Sequence, residues 1–331
     1  MSWTRLLMIA PFFLWGSAMV VMRDALTETT PLFVAVMRLL PAGILVLMAR
    51  RMVMGQPVTQ PASAQPELTQ SDSTKVTTWF PRQWQGWAWL LAFALIDATC
   101  FQGFLAQGLT HTGAGLGSVL IDSQPLAVAL MAMVFYQERL GWWGWGSLAL
   151  GLLGIGMIGL SSVQGSAEVA SGAGWMLLSA LSMAVGTVMV KQVSRYWDPV
   201  WATGWHMVLG SLPLVWLSFT SEQHQWDHLS SWHWLGLLYA SVLGSAVAYG
   251  LFFYFAAQEN LTAFSSLTFL TPVFALLLGS LFLGESLTFW QWAGVGITLL
   301  SVYGINQRQQ LAAQWPTWSW AGFFGLAEKQ S

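Results

Sequence analysis

The sequence predicts an all-α integral membrane protein of ten transmembrane helices, arranged as two inverted five-helix repeats. Three observations predict it. Hydrophobic residues make up 55% of the 331-residue chain and charged residues only 8%, against ~25% charged in an ordinary soluble domain. Ten apolar runs approach the ~20 residues a helix needs to cross hydrocarbon. The second half of the chain also repeats the first. A mean hydropathy of +0.57 agrees. The net charge of −2 and the lack of a basic tract leave no expectation of a nucleic-acid partner. Cys100 is the single cysteine, so no internal disulfide is expected.

The runs are 5–22, 31–50, 84–109, 114–136, 142–161, 172–192, 199–219, 232–257, 262–283 and 289–307. Arg5 before the first run resembles a signal peptide, but no small-x-small cleavage site follows, so a retained helix is expected. The second run carries Arg38. Residues 52–80, rich in Pro, Gln, Ser and Thr, read as a flexible cytoplasmic loop. The third run carries Asp97. The fourth contains "LIDSQPLAVAL", residues 120–130, which places Asp122, Gln124 and Pro125 in an oily stretch. Pro125 and its later counterpart Pro272 are expected inside their helices, kinking them.

In the fifth run, Gly154, Gly156 and Gly159 fit a dinucleotide-loop spacing. The preceding strand and following acid that such a loop needs are missing. These glycines and Gly151 are expected to let helices approach closely. "EQHQWDH", with Glu222, His224, Asp227 and His228, has zinc-ligand residue types but reads as a solvated turn. The tail, 308–331, is aromatic and too short to span. It is expected to lie on the cytoplasmic interface or to be disordered.

With the N-terminus cytoplasmic, ten of the twelve basic residues fall inside, Arg23 falls outside and Arg38 lies within a helix. Both termini are therefore expected in the cytoplasm of a multi-pass cell-membrane protein. Tryptophans gather at helix starts, at Trp84, Trp87 and Trp89, Trp142, Trp143 and Trp145, Trp232 and Trp234, and Trp290 and Trp292. Indoles favour the headgroup level.

An offset of 147 residues lays Ser118 on Ser265, Leu120 on Leu267, Pro125 on Pro272, Glu138 on Glu285 and Trp143 on Trp290. Nearer the start the offset is 168, which lays Pro31 on Pro199 and Arg38 on His206. The long 52–80 loop accounts for the change. The repeats are expected at 1–162 and 172–307, followed by the tail. Five helices per repeat invert the second relative to the first, which places a transporter's site at the midplane between them.

"FLWGSAMVVMRDAL", the stretch 31–47 and the stretch from Gly115 to Ile158 resemble the first EamA repeat of the drug/metabolite transporter superfamily. "GSAVAYGLFFYFAAQENLTAFSSLTFLTPVFALLLGSLFLGESLTFWQWAGVGITLLSVYGI" resembles the second. The resemblance implies ten helices, a central cavity lined by the first four helices of each half, and export or exchange of small metabolites, often amino acids or related compounds. Asp122 departs from the pattern, since its counterpart is Phe269.

The intramembrane ionisable groups are Arg38, Asp97, Asp122 and His206. Charges at that depth should face the protein interior in pairs. Similar depths make Asp122 the expected partner of Arg38. Two carboxylates share one arginine, so one can carry a proton or meet a cationic amine. Trp15, Gln102, Gln124, Tyr249 and Thr271 are expected to add aromatic walls and hydrogen bonds to the substrate pathway. No metal or organic cofactor is expected, and no nucleophile–base pair marks an enzyme. Expected partners are membrane lipid and a small-molecule substrate, with a proton and a homodimer left open. The alternative is a non-transporting assembly or scaffold protein recruited through the 52–80 loop.

Overall fold

The computed structural model describes residues 3–54, 83–111, 120–138, 140–160, 167–283 and 288–307. The 52–80 loop from residue 55 on, the tail, Glu285 and the start of the 114–136 run lie outside the described residues. Those described form helices and short connections, with no strand among them. Helices satisfy their own backbone groups, which hydrocarbon requires.

Helix α1 (Trp3–Ala25) and α2 (Pro31–Met54) come first. α3 joins Trp84–Phe93, a π turn at Ala94–Cys100 and Phe101–His111. Then follow α4 (Gln124–Tyr136), α5 (Gly141–Leu160), α6 (Ala167–Val193) and α7 (Pro199–Ser221). α8 joins Ser231–Ser241, a π turn at Val242–Val247 and Ala248–Gln258. α9 joins Leu261–Ser265, a 3-10 turn at Ser266–Phe269 and Leu270–Leu283. α10 is Phe289–Asn306.

Among the described residues six spans, rather than ten, are long and apolar enough to cross a membrane. They are Pro31–Met52, Trp84–Gly108, Gly172–Val193, Pro199–Ser221, Ser231–Gln258 and Leu261–Leu278. Leu6–Met22, Gln124–Tyr136 and Trp292–Ile305 are shorter apolar helices. α2 runs past its expected end at 50, and α6 starts before its expected start at 172.

The expected kink at Pro125 is a full break. The chain turns at Asp122–Ser123, and Pro125 sits in the first turn of a new helix. There its missing N–H costs nothing. Pro272 likewise follows the 3-10 turn at the start of Leu270–Leu283. Both prolines mark helix starts, because each ring excludes the preceding turn from a regular α ladder.

The main contacts keep their pattern when α1–α5 exchange with α6–α10. α2 packs on α7, α4 on α9 and α5 on α10. α1 meets α8 and α9 as α6 meets α3 and α4, and α2 meets α8 as α7 meets α3. The two π turns also fall at matching places in α3 and α8.

Leucines and tryptophans cover the outside, among them Trp84, Trp142, Trp232 and Leu153. Lipid is as apolar as leucine, so close backbone approach, not exclusion of water, holds such helices together. A Cβ on Gly43 of α2 would come within 2.9 Å of the Gly204 carbonyl and the Val208 amide of α7. A Cβ on Gly154 of α5 would come within 2.9 Å of the Gly294 carbonyl of α10, and one on Gly151 would strike Phe269. Gly156, expected to serve the same purpose, faces open space.

Acids seat the helix ends. Glu222 accepts hydrogen bonds from the Leu32 and Phe33 amides at 2.8 and 3.0 Å, and from the Thr30 and Ser218 hydroxyls. It therefore anchors the start of α2 on the end of α7, a correction to the expected solvated turn. His224 and Asp227 do face solvent, as a pair. Glu138 receives the Leu261 and Thr262 amides at the start of α9. Arg50 donates twice to Asp198, the N-cap of α7, both bonds 3.1 Å long.

Two outcomes are expected from melting temperatures in detergent. Gly43→Ala should destabilise by ~1–3 kcal/mol, because backbone cannot retreat as a side chain can. Gly156→Ala should be neutral or stabilising by ~1 kcal/mol. Equal effects at the two sites would refute close packing of α2 on α7. Glu222→Ala should cost ~2–3 kcal/mol through the lost charged acceptor, whereas His224→Ala should change little.

Candidate functional site

The broken helices frame a partly open cavity. Its polar wall is Arg38 from α2, Asp122 and Gln124 from the break before α4, Tyr249 from α8 and Thr271 from α9. Trp15, Met19 and Met22 of α1, Phe101 and Leu105 of α3, and Met183 of α6 complete the walls. A second, smaller cavity shares Met22, Arg38 and Leu105 and reaches Leu26 and Pro31, at the end of the bundle where α1 turns into α2.

Arg38 and Asp122, expected to pair, do not. No ion pair joins them, and Asp122 makes no side-chain hydrogen bond among the described residues. The break swings Asp122 out of any helical register, so equal depth does not bring it to Arg38. Arg38 instead donates to Gln102 at 3.4 Å, and Gln102 donates to the Tyr249 hydroxyl at 2.9 Å. Gln124 donates to Thr187 at 3.1 Å. Asp97 does not line the cavity. It bonds His206 behind Tyr249, with side chains 0% and 1% exposed.

Several donors at the cavity have no partner. They are the Arg38 Nε, the Trp15 indole Nε1 and the Thr271 hydroxyl, all buried. An unmade buried hydrogen bond costs ~1–3 kcal/mol, more for a charged group.

The repeat offsets relate much of the lining to itself. Trp15 corresponds to Met183, Ile121 to Thr268 and Gln124 to Thr271, and all six face the cavity. Sequence reasoning missed Met183, Ile121 and Thr268. Their repeat partners carry the signal that finds them.

Behind the cavity-lining Trp15 and Tyr249, aromatic rings pack in a layer. Phe12, Phe252 and Phe264 pack with centroids 5.2 to 6.0 Å apart. Phe93 stacks on His206 at 4.3 Å and meets Phe253 at 5.0 Å. The repeat offsets place Ala180, Ala240, Leu105 and Ala106 opposite Phe12, Phe93, Phe252 and Phe253. Small side chains thus stand toward the α1–α2 end, where the second cavity lies.

The EamA-like transporter family matches residues 71–160 and 170–307. The uncharacterized transporter sll0355 of Synechocystis is 51% identical over 93% of this chain and 91% of its own. A chloroplastic WAT1-related protein of Arabidopsis thaliana, At3g02690, is 45% identical over 92% of this chain and 69% of its own. A solved crystal structure shares the fold at a TM-score of 0.73, with 15% identity, over 95% of this chain and 99% of that one. Two matched repeats, transporter relatives and apolar helices make this a multi-pass membrane transporter of small molecules. The chain belongs to the EamA-like transporter family.

Proposed function

We propose that the chain moves zwitterionic metabolites, amino acids or related compounds, across the cytoplasmic membrane by alternating access, as an exporter or exchanger. Arg38 holds a substrate carboxylate and Asp122 a substrate ammonium. Trp15 and Tyr249 form the walls, and Thr271 and Gln124 add hydrogen bonds. The observation that carries this reading is a buried arginine and a buried aspartate on one cavity with no bond between them. Uncompensated charges in so apolar a setting are costly, and a bound zwitterion removes the cost.

In this reading the chain crosses the membrane ten times in two inverted halves, with both termini cytoplasmic. The excess of lysine and arginine on one side supports that orientation. The small-residue end then faces outward and the aromatic seal faces the cytoplasm. Each half moves against the other about the α2–α7 contact. The matching contacts of the two halves support such an exchange.

Purified protein tests the site. Amino acids should raise the melting temperature, by ~2.7 kcal/mol of stabilisation at a hundredfold excess over Kd. Sugars of similar size should not. Arg38→Gln and Asp122→Asn should each abolish the shift, and counterflow of the same amino acid in proteoliposomes should fall at least ~tenfold, as expected for a lost charged contact. A shift that survives both substitutions would overturn the assignment. For topology, a reporter active only outside the cytoplasm should stay silent at the C-terminus and be active at Gln223; the opposite pair of results would invert the orientation.

A further inference from the structure

We propose that Asp97 and His206 form a one-proton site, separate from the cavity, whose proton holds the aromatic end of the bundle closed. The ligand is a single proton, taken from water and returned to water when that end opens. The gating part rests on the alternating-access reading; the proton site does not.

The hydrogen bonds fix the proton count. His206 Nδ1 lies 2.7 Å from the Thr203 carbonyl oxygen. A carbonyl only accepts, so Nδ1 carries a hydrogen. Nε2 lies 3.1 Å from Asp97 Oδ2. If Nε2 carried a lone pair and Asp97 were ionised, two acceptors would face each other in a dry interior. The contact therefore needs one proton between them. It is either an imidazolium beside a carboxylate or a neutral imidazole accepting from a carboxylic acid. Both forms are neutral overall. Removing the proton leaves a net buried negative charge and costs a bond either way: with the hydrogen on Nδ1 the carboxylate faces a lone pair, and with it on Nε2 the bond to the Thr203 carbonyl is lost.

Packing does not require the acid. A Cβ on Gly186 of α6 would fall 2.0 Å from Asp97 Oδ1, so glycine vacates the space that the carboxylate fills. In the other half the corresponding pair is reversed in size: Ala18 stands against Gly244. Small residues suffice there, so an ionisable group is not a requirement of the repeated contact but a feature of this half. Its Oδ1 is buried and unpartnered, so no second bond locks the carboxylate.

The site is wired to the seal. His206 stacks on Phe93 and meets Phe253 edge-on at 5.3 Å, and both rings belong to the closing layer. Asp97 lies within the π turn of α3, an irregular segment of the kind often found at functional sites. Toward the cavity, Tyr249 stands beside His206 and bonds Gln102, which bonds Arg38.

The other titratable groups on the surrounding elements are few. α8 brings Tyr249; its Tyr239 is bonded to Ser17, and His233 and Tyr254 lie toward its ends. α2 brings Arg38, with Arg50 and Arg51 near its end, and α3 adds Cys100 and His111. α6 faces Asp97 with Gly186 and carries Lys191 in its last turn. Asp122 stands on the neighbouring cavity. None of these bonds Asp97 among the described residues.

The test uses the full chain in lipid nanodiscs, with no substrate. Asp97→Asn is the informative variant, because its amide can donate to Nε2 and so mimics the protonated pair. Infrared difference spectra between about pH 5 and 9 should show the loss of one proton from the pair in the wild type, as a carboxyl change or an imidazole change. Asp97→Asn and His206→Gln should each remove it. For the gate, the buried Ala256, one turn beyond Phe252 in α8, reports the closed end as Ala256→Cys in a Cys100→Ser background, with Ala202→Cys, one turn before His206 in α7, as a second reporter should the first fail to fold. Maleimide labelling, normalised to an exposed cysteine at His224, should be at least ~tenfold faster at the upper pH, a shift of ~1.4 kcal/mol. Asp97→Asn should label slowly throughout, and Asp122→Asn should keep the pH dependence. An unchanged spectrum in Asp97→Asn overturns the proton site. A spectral change without a labelling change overturns its coupling to the gate. Loss of either result with amino-acid stabilisation intact leaves the proposed substrate standing, and the reverse leaves the proton site standing.

Discussion

Hydrocarbon offers no hydrogen bonds, so each polar group placed in it must find its partner within the protein. The rest of the structure follows from that requirement. Glu222, Glu138 and Asp198 take up helix amides that would otherwise lack acceptors at α2, α9 and α7. Each of these acids also fixes where one helix end stands against its neighbour. Arg50 is buried yet matched by two parallel bonds to Asp198. Three buried donors without partners, the Arg38 Nε, the Trp15 Nε1 and the Thr271 hydroxyl, meet at one cavity beside Asp122.

The near-symmetry of the halves makes their differences informative. α2 with α7, and α5 with α10, pack through glycines and small residues from both halves. On that shared frame, phenylalanines at one end stand where alanines and a leucine occupy the other. Gln102 and Tyr249 hold corresponding positions and bond each other at 2.9 Å, so the bond joins the two halves through equivalent places. Arg38 and His206 also correspond, and they have diverged to serve different partners. A symmetric frame fixes where side chains stand, and their chemistry fixes which end is closed.

Much of this was legible in the sequence. Apolar length and tryptophan-marked starts locate the helices, because the bilayer imposes one dimension on all of them. The repeated Glu138 position is visible as a pattern, although only the structure reveals its role in seating α9. Trp15, Gln124, Tyr249 and Thr271 were readable as polar or aromatic residues at suitable depth. The Arg38–Asp122 pair was not, because depth along a helix says nothing about azimuth, and the break at Asp122–Ser123 discards helical register altogether. The bond between Asp97 and His206 joins helices far apart in sequence and depends on the room left by Gly186. Glu222 looked solvated because composition alone cannot tell a loop acid from one that caps a helix in another part of the chain. The π turns leave no mark in residue type.

Those π turns have a mechanical consequence. Each holds one residue more than an α-helix would need for the same rise. Were such a turn to relax, the segment beyond it would rotate by about 100° and advance by about 1.5 Å, one residue's share of an α-helix. In α3 the segment beyond the turn carries Phe101, Gln102 and Leu105, while Leu90 and Phe93 lie before it. In α8 the turn separates Ala240 from Tyr249, Phe252 and Phe253. Each half therefore contains a swivel between its two ends. A bundle jointed in this way can redirect the side chains around its cavity while the outer faces of the same helices keep their places in the lipid.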